Sequence, residues 1–447
     1  MKDREWHIGL SGTFDVQNYG DLLFPLVAKA ELSERLGNVR LRPFSYHAKM
    51  PPDWSYDVTS LTELPRMISD LDCMLIGGGF IIRFDKEVAP GYTPPTEVIH
   101  HPTGYWLTPA LIALQHSIPV AWNAPGMHCN EIPGWAYPLV EMAFTLSRYI
   151  AVRDEPSRAA LAHFINREIA IVPDTCFGIA RLLDKEPSIE FNRLREKAGL
   201  TGPYIIIQAA LGLEGFLRFV GQHKRRLRGL QFLALPIGPV LGDHESIIED
   251  KLPGLVRLSD WPHPLLLAEL ISHSEAVIGH SYHLAITALS TGVPVLTPQD
   301  LSTGKYTALR GFETIYHLSK DVEIDPEWFI GRVGRTVPSA AARATLDQLA
   351  RHWDRIADVI RAGRADTGPT LDRFWQSLPG LLENAAVRRA VGAAEVEVAE
   401  RSVDESSILA REEISAQGTL RRPISWRLAS LLQFFERRPR EKSENGK

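Results

Sequence analysis

Residues Glu275 to Leu296 read EAVIGHSYHLAITALSTGVPVL, and the order of residue types in this stretch decides the fold class. An apolar run at Ala276 to Ile278 gives way to a polar turn holding His280, Ser281 and His283. A helical pattern over Tyr282 to Thr291 then stops at Gly292, and a second apolar run, Val293 to Leu296, follows at once. Short apolar runs joined by a helix make a strand–helix–strand unit, whose connection is long enough to lay the two strands side by side and parallel.

The same alternation extends in both directions. Candidate strands at His7 to Leu10, Asp72 to Ile76, Pro119 to Trp122, Tyr149 to Val152 and Ala170 to Val172 form a first series. A second comprises Tyr204 to Gln208, Gln231 to Pro236, Ala276 to Ile278 and Val293 to Leu296, with helices such as Pro264 to Ser272 between them. Most end near Gly, Pro, Asn or Asp, the residues that turn a chain. The expected class is therefore α/β, with two Rossmann-like domains joined between about Leu183 and Thr201. The expected boundaries are 1–190 for the first domain, 191–335 for the second and 336–447 for a helical C-terminal extension. In that extension Leu346, Leu349, Trp353, Ile356 and Ile360 fall at helical spacing and no strand pattern returns.

Composition narrows the function classes. The 447 residues carry a formal net charge of −5, so no global positive field is available for a nucleic-acid backbone, and any anion site must be built locally. The opening MKDREWHIGL lacks a signal-peptide pattern, and no apolar run reaches the eighteen or so residues of a bilayer span. Cys73, Cys129 and Cys176 are scattered and odd in number, which argues against a disulfide framework or a cysteine zinc site and for a reducing, cytoplasmic setting. The end of the chain, from Arg421 to Lys447, holds eight basic residues against three acidic ones, with Ile424, Leu428, Leu431, Leu432 and Phe435 at helical spacing. That pattern suits peripheral contact with an anionic membrane surface or with a partner.

Four segments carry candidate chemistry. Ser11 to Asp21, SGTFDVQNYGD, lies between a strand and a helix; Asn18 and Asp21 offer groups for sugar hydroxyls, and equally serve as turn and N-cap residues. Asp72 to Asp85, DCMLIGGGFIIRFD, runs a buried strand into Gly77, Gly78 and Gly79, where a ligand or another backbone can approach closely. It does not satisfy GxGxxG, so a nicotinamide dinucleotide is a poor fit. Val152 to Ser157, VRDEPS, and Val172 to Gly178, VPDTCFG, each place an Asp beyond a strand; Arg153 is suited to clamp an anion, or to pair with Asp154 or Asp174. In the His280–His283 turn, a helix N-terminus beside an imidazole suits a phosphate together with a proton donor, although a lone histidine is more often structural.

Taken in order, NYGD at Asn18 to Asp21, D-x-x-x-I-G-G-G at Asp72 to Gly79, VRD-x-x-S at Val152 to Ser157, PD at Pro173 and Asp174, and H-x-x-x-x-A-x-x-x-G-V-P from His283 to Pro294, followed by Lys305, resemble the polysaccharide pyruvyl transferase family. The resemblance spans roughly Ile8 to Leu309. It implies a two-domain arrangement similar to GT-B glycosyltransferases, with an acceptor-side first domain and a donor-side second. The implied reaction moves a pyruvyl group from phosphoenolpyruvate to two hydroxyls of one sugar in a cell-surface polysaccharide or its precursor, giving a cyclic ketal and free phosphate. It further implies His283 as the catalytic residue, with Arg153, Ser281, Lys305 and His280 on the donor. Asn18, Asp21, Gly77, Gly78 and Gly79 would meet the acceptor, a sugar or lipid-linked oligosaccharide. No metal and no cofactor beyond the co-substrate is expected. This chain carries Ser281, Tyr282 and His283 where family members typically show R-L-H or R-Y-H.

Two other readings compete. A GT-B glycosyltransferase using a nucleotide sugar shares the two Rossmann-like halves, and fold alone does not separate the two activities. A non-catalytic glycan-binding member of a polysaccharide-assembly complex fits the absent motif arginine and the long helical tail.

Overall fold

The computed structural model describes residues 4–84, 102–127, 132–162, 165–244, 255–319, 323–364 and 366–384. The first half is built on β1 (Trp6–Ser11), β2 (Val39–Ser45), β3 (Thr59–Ser60), β4 (Cys73–Ile76) and β5 (Val120–Trp122), in the parallel order β3-β2-β1-β4-β5. A parallel bridge from Ala121 to Tyr149 carries the layer on to β6 (Ala151–Val152) and β7 (Ala170–Ile171), which pair with each other. The second half contains β8 (Tyr204–Gln208), β9 (Gln231–Leu235), β10 (Val256–Arg257), β11 (Ala276–Ile278), β12 (Val295–Thr297) and β13 (Ile315–His317), ordered β10-β9-β8-β11-β12-β13. In both halves the order reverses beside the first strand, the doubly wound pattern that opens a crevice at the carboxyl ends of the strands. Two such halves facing one cleft make the GT-B-like arrangement.

Strands β2, β3, β10 and β13 escape the sequence reading. β2 spells VRLRPFS, whose arginines and Pro43 hide its pattern, and the other three have only two or three residues. Pro43 is tolerated because β3 pairs only with Phe44 and Ser45 of that strand. β12 starts at Val295 rather than Val293. Gly292, at φ +80°, caps the preceding helix, and Val293 N–H returns to Ala288 O at 2.8 Å, so this residue closes a helix rather than opening a strand.

The helix Tyr19–Leu36 ties the halves together. Its buried face includes Tyr19, Leu23, Phe24, Val27 and Leu32, in one hydrophobic cluster with Phe177 of the first half and Leu284, Ile286 and Leu289 of the second. Tyr19 hydrogen-bonds Thr287 Oγ1 through its hydroxyl at 2.8 Å and donates its N–H to Ile237 O at 2.9 Å. Pro25 removes one helical hydrogen bond in the second turn, and the Tyr56 hydroxyl donates to the carbonyl of Leu22 in that region, 3.1 Å away. The expected helix after Pro338 is Ala340–Ala362, capped by Ser339 and buried along Leu349, Trp353, Ile356 and Ile360. It joins the same cluster, and Arg35 reaches Asp354 at 2.7 Å across the contact. These elements all belong to one compact unit that ends at Glu383. The basic stretch from Arg421 lies outside the described residues. Among the described residues no helix is long and apolar enough to cross a membrane.

Candidate active site

Loops at the carboxyl ends of the strands in both halves enclose a cleft with a volume of about 370 Å3. Thr13, Asn18 and Asp21 follow β1, Gly79 and Phe80 follow β4, and Arg153 follows β6; from the other half come Gln208 on β8, Ile237 and Gly238 after β9, His280 to His283 after β11, and Lys305 after β12.

An ionic cluster forms one wall. Asp174 N-caps the short 3-10 helix Thr175–Leu182 and accepts the Cys176 N–H at 3.0 Å. Its Oδ2 accepts from Arg153 Nη1 at 3.3 Å and stands 3.5 Å from His283 Nε2. Burial would raise the Asp174 pKa, but His283, Arg153 and the Cys176 amide together outweigh it and hold the carboxyl well below its ordinary range. Arg153 is 5% exposed. Its guanidinium carbon lies 3.7 Å from the Phe80 ring centre and 5.3 Å from that of Tyr282, so aromatic faces hold the fork in place. Its Nη2 is buried and without a hydrogen-bond partner among the described residues. Of the two candidate partners read from the sequence, Asp154 is the looser, 3.7 Å from Nε. Asp154 instead caps the helix Glu155–Ala162, accepting from Ser157 N–H at 2.9 Å and from its hydroxyl at 2.5 Å.

His283 enters this cluster because residue 20 is glycine. A Cβ on Gly20 would lie 1.8 Å from His283 Nδ1, so the imidazole rests directly on the first turn of the helix Tyr19–Leu36. The Phe24 ring meets it edge-on with centres 5.9 Å apart, and Tyr282 does so at 5.8 Å. The NYGD motif of one half and the last motif of the other thus meet at one contact.

The turn before His283 uses several of its own amides. Gln208 Oε1 accepts from His280 N–H at 2.7 Å and Ser281 N–H at 2.8 Å, while its amide nitrogen donates to Asp243 Oδ2 at 2.6 Å. Ser281 Oγ accepts from Leu284 N–H at 3.3 Å as the N-cap. The turn therefore has fewer amides left for an anion than its sequence suggests, and positive charge there comes from Arg153 and Lys305. His280 Nδ1 and Gln299 Nε2 are 2.9 Å apart. Lys305 stands at the open edge, its Nζ 5.8 Å from the Tyr282 ring centre. Partial desolvation by the protein around its head group and the neighbouring Arg153 push its pKa down to about 8, against the pull of Asp174 and Asp21.

The glycine run is divided in its placement. Gly77, Gly78 and Gly79 all have positive φ, +109°, +112° and +70°, a backbone that favours glycine. Gly79 lines the cleft, where a Cβ would sit 3.5 Å from Asp21 Oδ1. Gly77 and Gly78 lie behind it, against Pro125 and Phe24. The other sequence-derived candidates, Asn18, Asp21, Arg153, His280, Ser281, His283 and Lys305, all line the cleft. Sequence reasoning did not single out Phe80, Tyr282, Gln208 or Asp243. Gln208 meets the His280 turn only because β8 lies beside β11, and Asp243, which also holds the amides of Ile237 and Gly238 in its own loop, reaches the site through Gln208.

Asp174, Cys176 and His283 bring three donor atoms within 4.8 Å of one another, a possible metal geometry. Two features act against a cation: Arg153 already occupies Asp174, and burial, with Asp174 adding to it, pushes the Cys176 thiol pKa up, away from the thiolate that binds metals.

The loops that build this cleft also carry the motifs in their sequence order, and the profile of the polysaccharide pyruvyl transferase family matches residues 18–297. The chain belongs to that family. Polysaccharide pyruvyl transferases are transferases, and the family description implies a sugar or polysaccharide acceptor. No curated protein matches the chain in sequence. In fold it is similar to UDP-GlcNAc 2-epimerase from Neisseria meningitidis (13% identity, 84% of this chain and 100% of that one, TM-score 0.47). It is also similar to UDP-GlcNAc 2-epimerase from Methanocaldococcus jannaschii (10% identity, 78% and 100%, TM-score 0.48) and to ADP-heptose lps heptosyltransferase II from E. coli (12% identity, 78% and 99%, TM-score 0.40). Where the family motif typically has arginine, Ser281 of this member caps a helix.

Proposed function

We propose that this chain transfers the pyruvyl group of phosphoenolpyruvate to two hydroxyls of one sugar in a cell-surface polysaccharide or its precursor. The observation that carries this reading is the convergence, in a member of this family, of two cations and a carboxylate-backed imidazole on one cleft: Arg153, Lys305, and His283 beside Asp174.

Phosphoenolpyruvate brings a phosphate and a carboxylate, and Lys305 with the spare Nη2 of Arg153 supplies donors for them. His283 gives a proton to the methylene carbon, which becomes a methyl group and leaves positive charge on the adjacent carbon. Asp174 is placed to balance the imidazolium before transfer. A first sugar hydroxyl adds to that carbon and loses its proton. The carbon–oxygen bond to phosphate breaks, phosphate leaves with the electron pair, and the second hydroxyl adds and loses its proton to close the ketal. Of the two hydroxyl protons released, one restores His283 and the other leaves with phosphate, so the products are the ketal and inorganic phosphate. Asn18, Asp21 and the Gly79 turn, on the first half, face the acceptor.

The test is to incubate the full chain with phosphoenolpyruvate and a panel of sugars and oligosaccharides, and in parallel with nucleotide sugars. Acceptor-dependent release of inorganic phosphate is the expected result. Release of nucleotide without phosphate would move the chain to glycosyl transfer, and glycan binding with neither release would make it a binding protein.

A further inference from the structure

A second cleft, with a volume of about 520 Å3, lies where β6 and β7 meet the helix Ala340–Ala362. Arg148 and Arg167 enter it from the strand side; Arg351 and Arg355 enter it from the helix, and Glu168 is the one carboxylate among its lining residues. Gln348, Arg351, His352 and Arg355 fall three and four residues apart, so one helix face points into the cleft. The guanidinium groups of Arg148, Arg351 and Arg355 make no hydrogen bond or ion pair among the described residues, even though Asp347 stands four residues before Arg351 on the same helix. Arg167 is fixed: its guanidinium donates to the carbonyls of Thr145, Ser147 and Arg148 at 3.1, 2.6 and 3.3 Å.

The floor adds no charge of its own. His352 is buried, hydrogen-bonded to the Tyr149 hydroxyl at 3.0 Å and to Asn123 Oδ1 at 3.1 Å. Burial, with Arg35 adding to it, pushes its pKa down to about 3, so the imidazole is neutral. Four guanidiniums around one concavity, against one carboxylate, repel one another in a protein whose overall charge is −5. Such an accumulation is relieved by an anion with several charges. The volume falls within the usual range for small-molecule pockets and exceeds the need of a single phosphate.

We propose that this cleft is a second anion site, separate from the catalytic cleft, for a phosphate ester or diphosphate of roughly sugar-phosphate size. It shares no lining residue with the catalytic cleft; Arg148 and Arg167 stand before the amino ends of the same two strands, and the cleft runs along β7 as far as Val172. Arg148 begins the segment that passes through β6 to Arg153, five residues or roughly 16 Å on, and Glu168 begins the segment that passes through β7 to Asp174. An anion here would therefore act on the two strands that carry the Arg153–Asp174 pair, and it does not depend on which donor the catalytic cleft uses.

Calorimetric titration of the full chain with inorganic pyrophosphate at low salt tests the site. Binding should persist in Arg153→Gln, which disables the catalytic cleft, and should weaken by about tenfold or more in the double variant Arg351→Ala/Arg355→Ala. Arg148→Gln, on the strand side, gives a second variant should the double one unfold, as read by thermal unfolding. Affinity unchanged by the cleft variants, or abolished by Arg153→Gln alone, would overturn the proposal. Glucose 1-phosphate and phosphatidylglycerol vesicles distinguish the sources of the phosphate. Glucose 1-phosphate binding lost in the double variant assigns a soluble ligand, and vesicle co-sedimentation lost in it assigns a lipid headgroup.

Discussion

Gly20 and His283 touch so closely that the side chain of the simplest other residue does not fit: a Cβ at position 20 would come within 1.8 Å of Nδ1 of the imidazole. Gly20 lies in the first turn of a helix with ordinary backbone geometry, so alanine there would otherwise favour the helix by up to about 1 kcal/mol. We expect Gly20→Ala to lower activity at least a hundredfold by displacing the imidazole and to cost about 1–3 kcal/mol through overpacking. In a His283→Ala background the same change should cost nothing or stabilise. A double-mutant cycle of unfolding free energies checks this, and additive costs would mean the contact is not what excludes a side chain.

Replacing His283 by Asn keeps a polar group of similar reach but removes a transferable proton. Phosphate release from phosphoenolpyruvate should fall about a hundred- to ten-thousand-fold, with only a modest shift in thermal unfolding. His280→Asn should cost far less, because His280 is held by Gln299 away from the Asp174 cluster. Near-native turnover in His283→Asn would remove the acid from the mechanism.

Asp174 carries a pH signature for stability. Its folded pKa lies below its ordinary value of 3.8, so its stabilisation is fully present above that pH and is lost as pH falls below it. Asp174→Asn leaves Arg153 buried without its main counter-ion, at a cost of about 3–5 kcal/mol near neutrality. The gap in unfolding temperature between wild type and variant should be wide and constant from pH 7 to about 4 and narrow below that. A gap independent of pH down to 2 would contradict the assignment.

Lys305 should set the alkaline limb of activity. With a pKa near 8 in the free protein, it loses the charge that holds the anionic donor as pH rises through that value, so kcat/KM should fall above about pH 8. Lys305→Arg keeps its charge throughout that range and should flatten the limb. A profile from pH 6 to 10 for both proteins decides it.

The parallel α/β class, the C-terminal helix and the loops of the cleft were legible because each rests on local pattern: apolar runs ended by turn residues, a helical apolar spacing, and motifs fixed to strand ends. β2 was hidden because its place beside β1 is enforced by pairing rather than by its own residues, two arginines and a proline among them. Arg153, Asp174 and His283 were each visible as residues of interest. Their order in sequence left open whether Arg153 served Asp154 or Asp174, and only the approach of β6 and β7 put the guanidinium in hydrogen-bonding distance of Asp174, with Asp154 the looser contact.

What the sequence determined by itself was the set of elements and the chemical groups at their ends, since both follow from interactions a few residues long. Tertiary structure alone decided which groups meet. Residues 20 and 283 come together because the helix Tyr19–Leu36 is packed between the halves. Gln208 takes up the amides of the His280 turn because β8 lies beside β11. Arginines two hundred residues apart share a second cleft because the helix Ala340–Ala362 folds back onto β6 and β7. None of these contacts has a sequence signature, because each depends on burial and close packing between segments that the chain brings together only on folding.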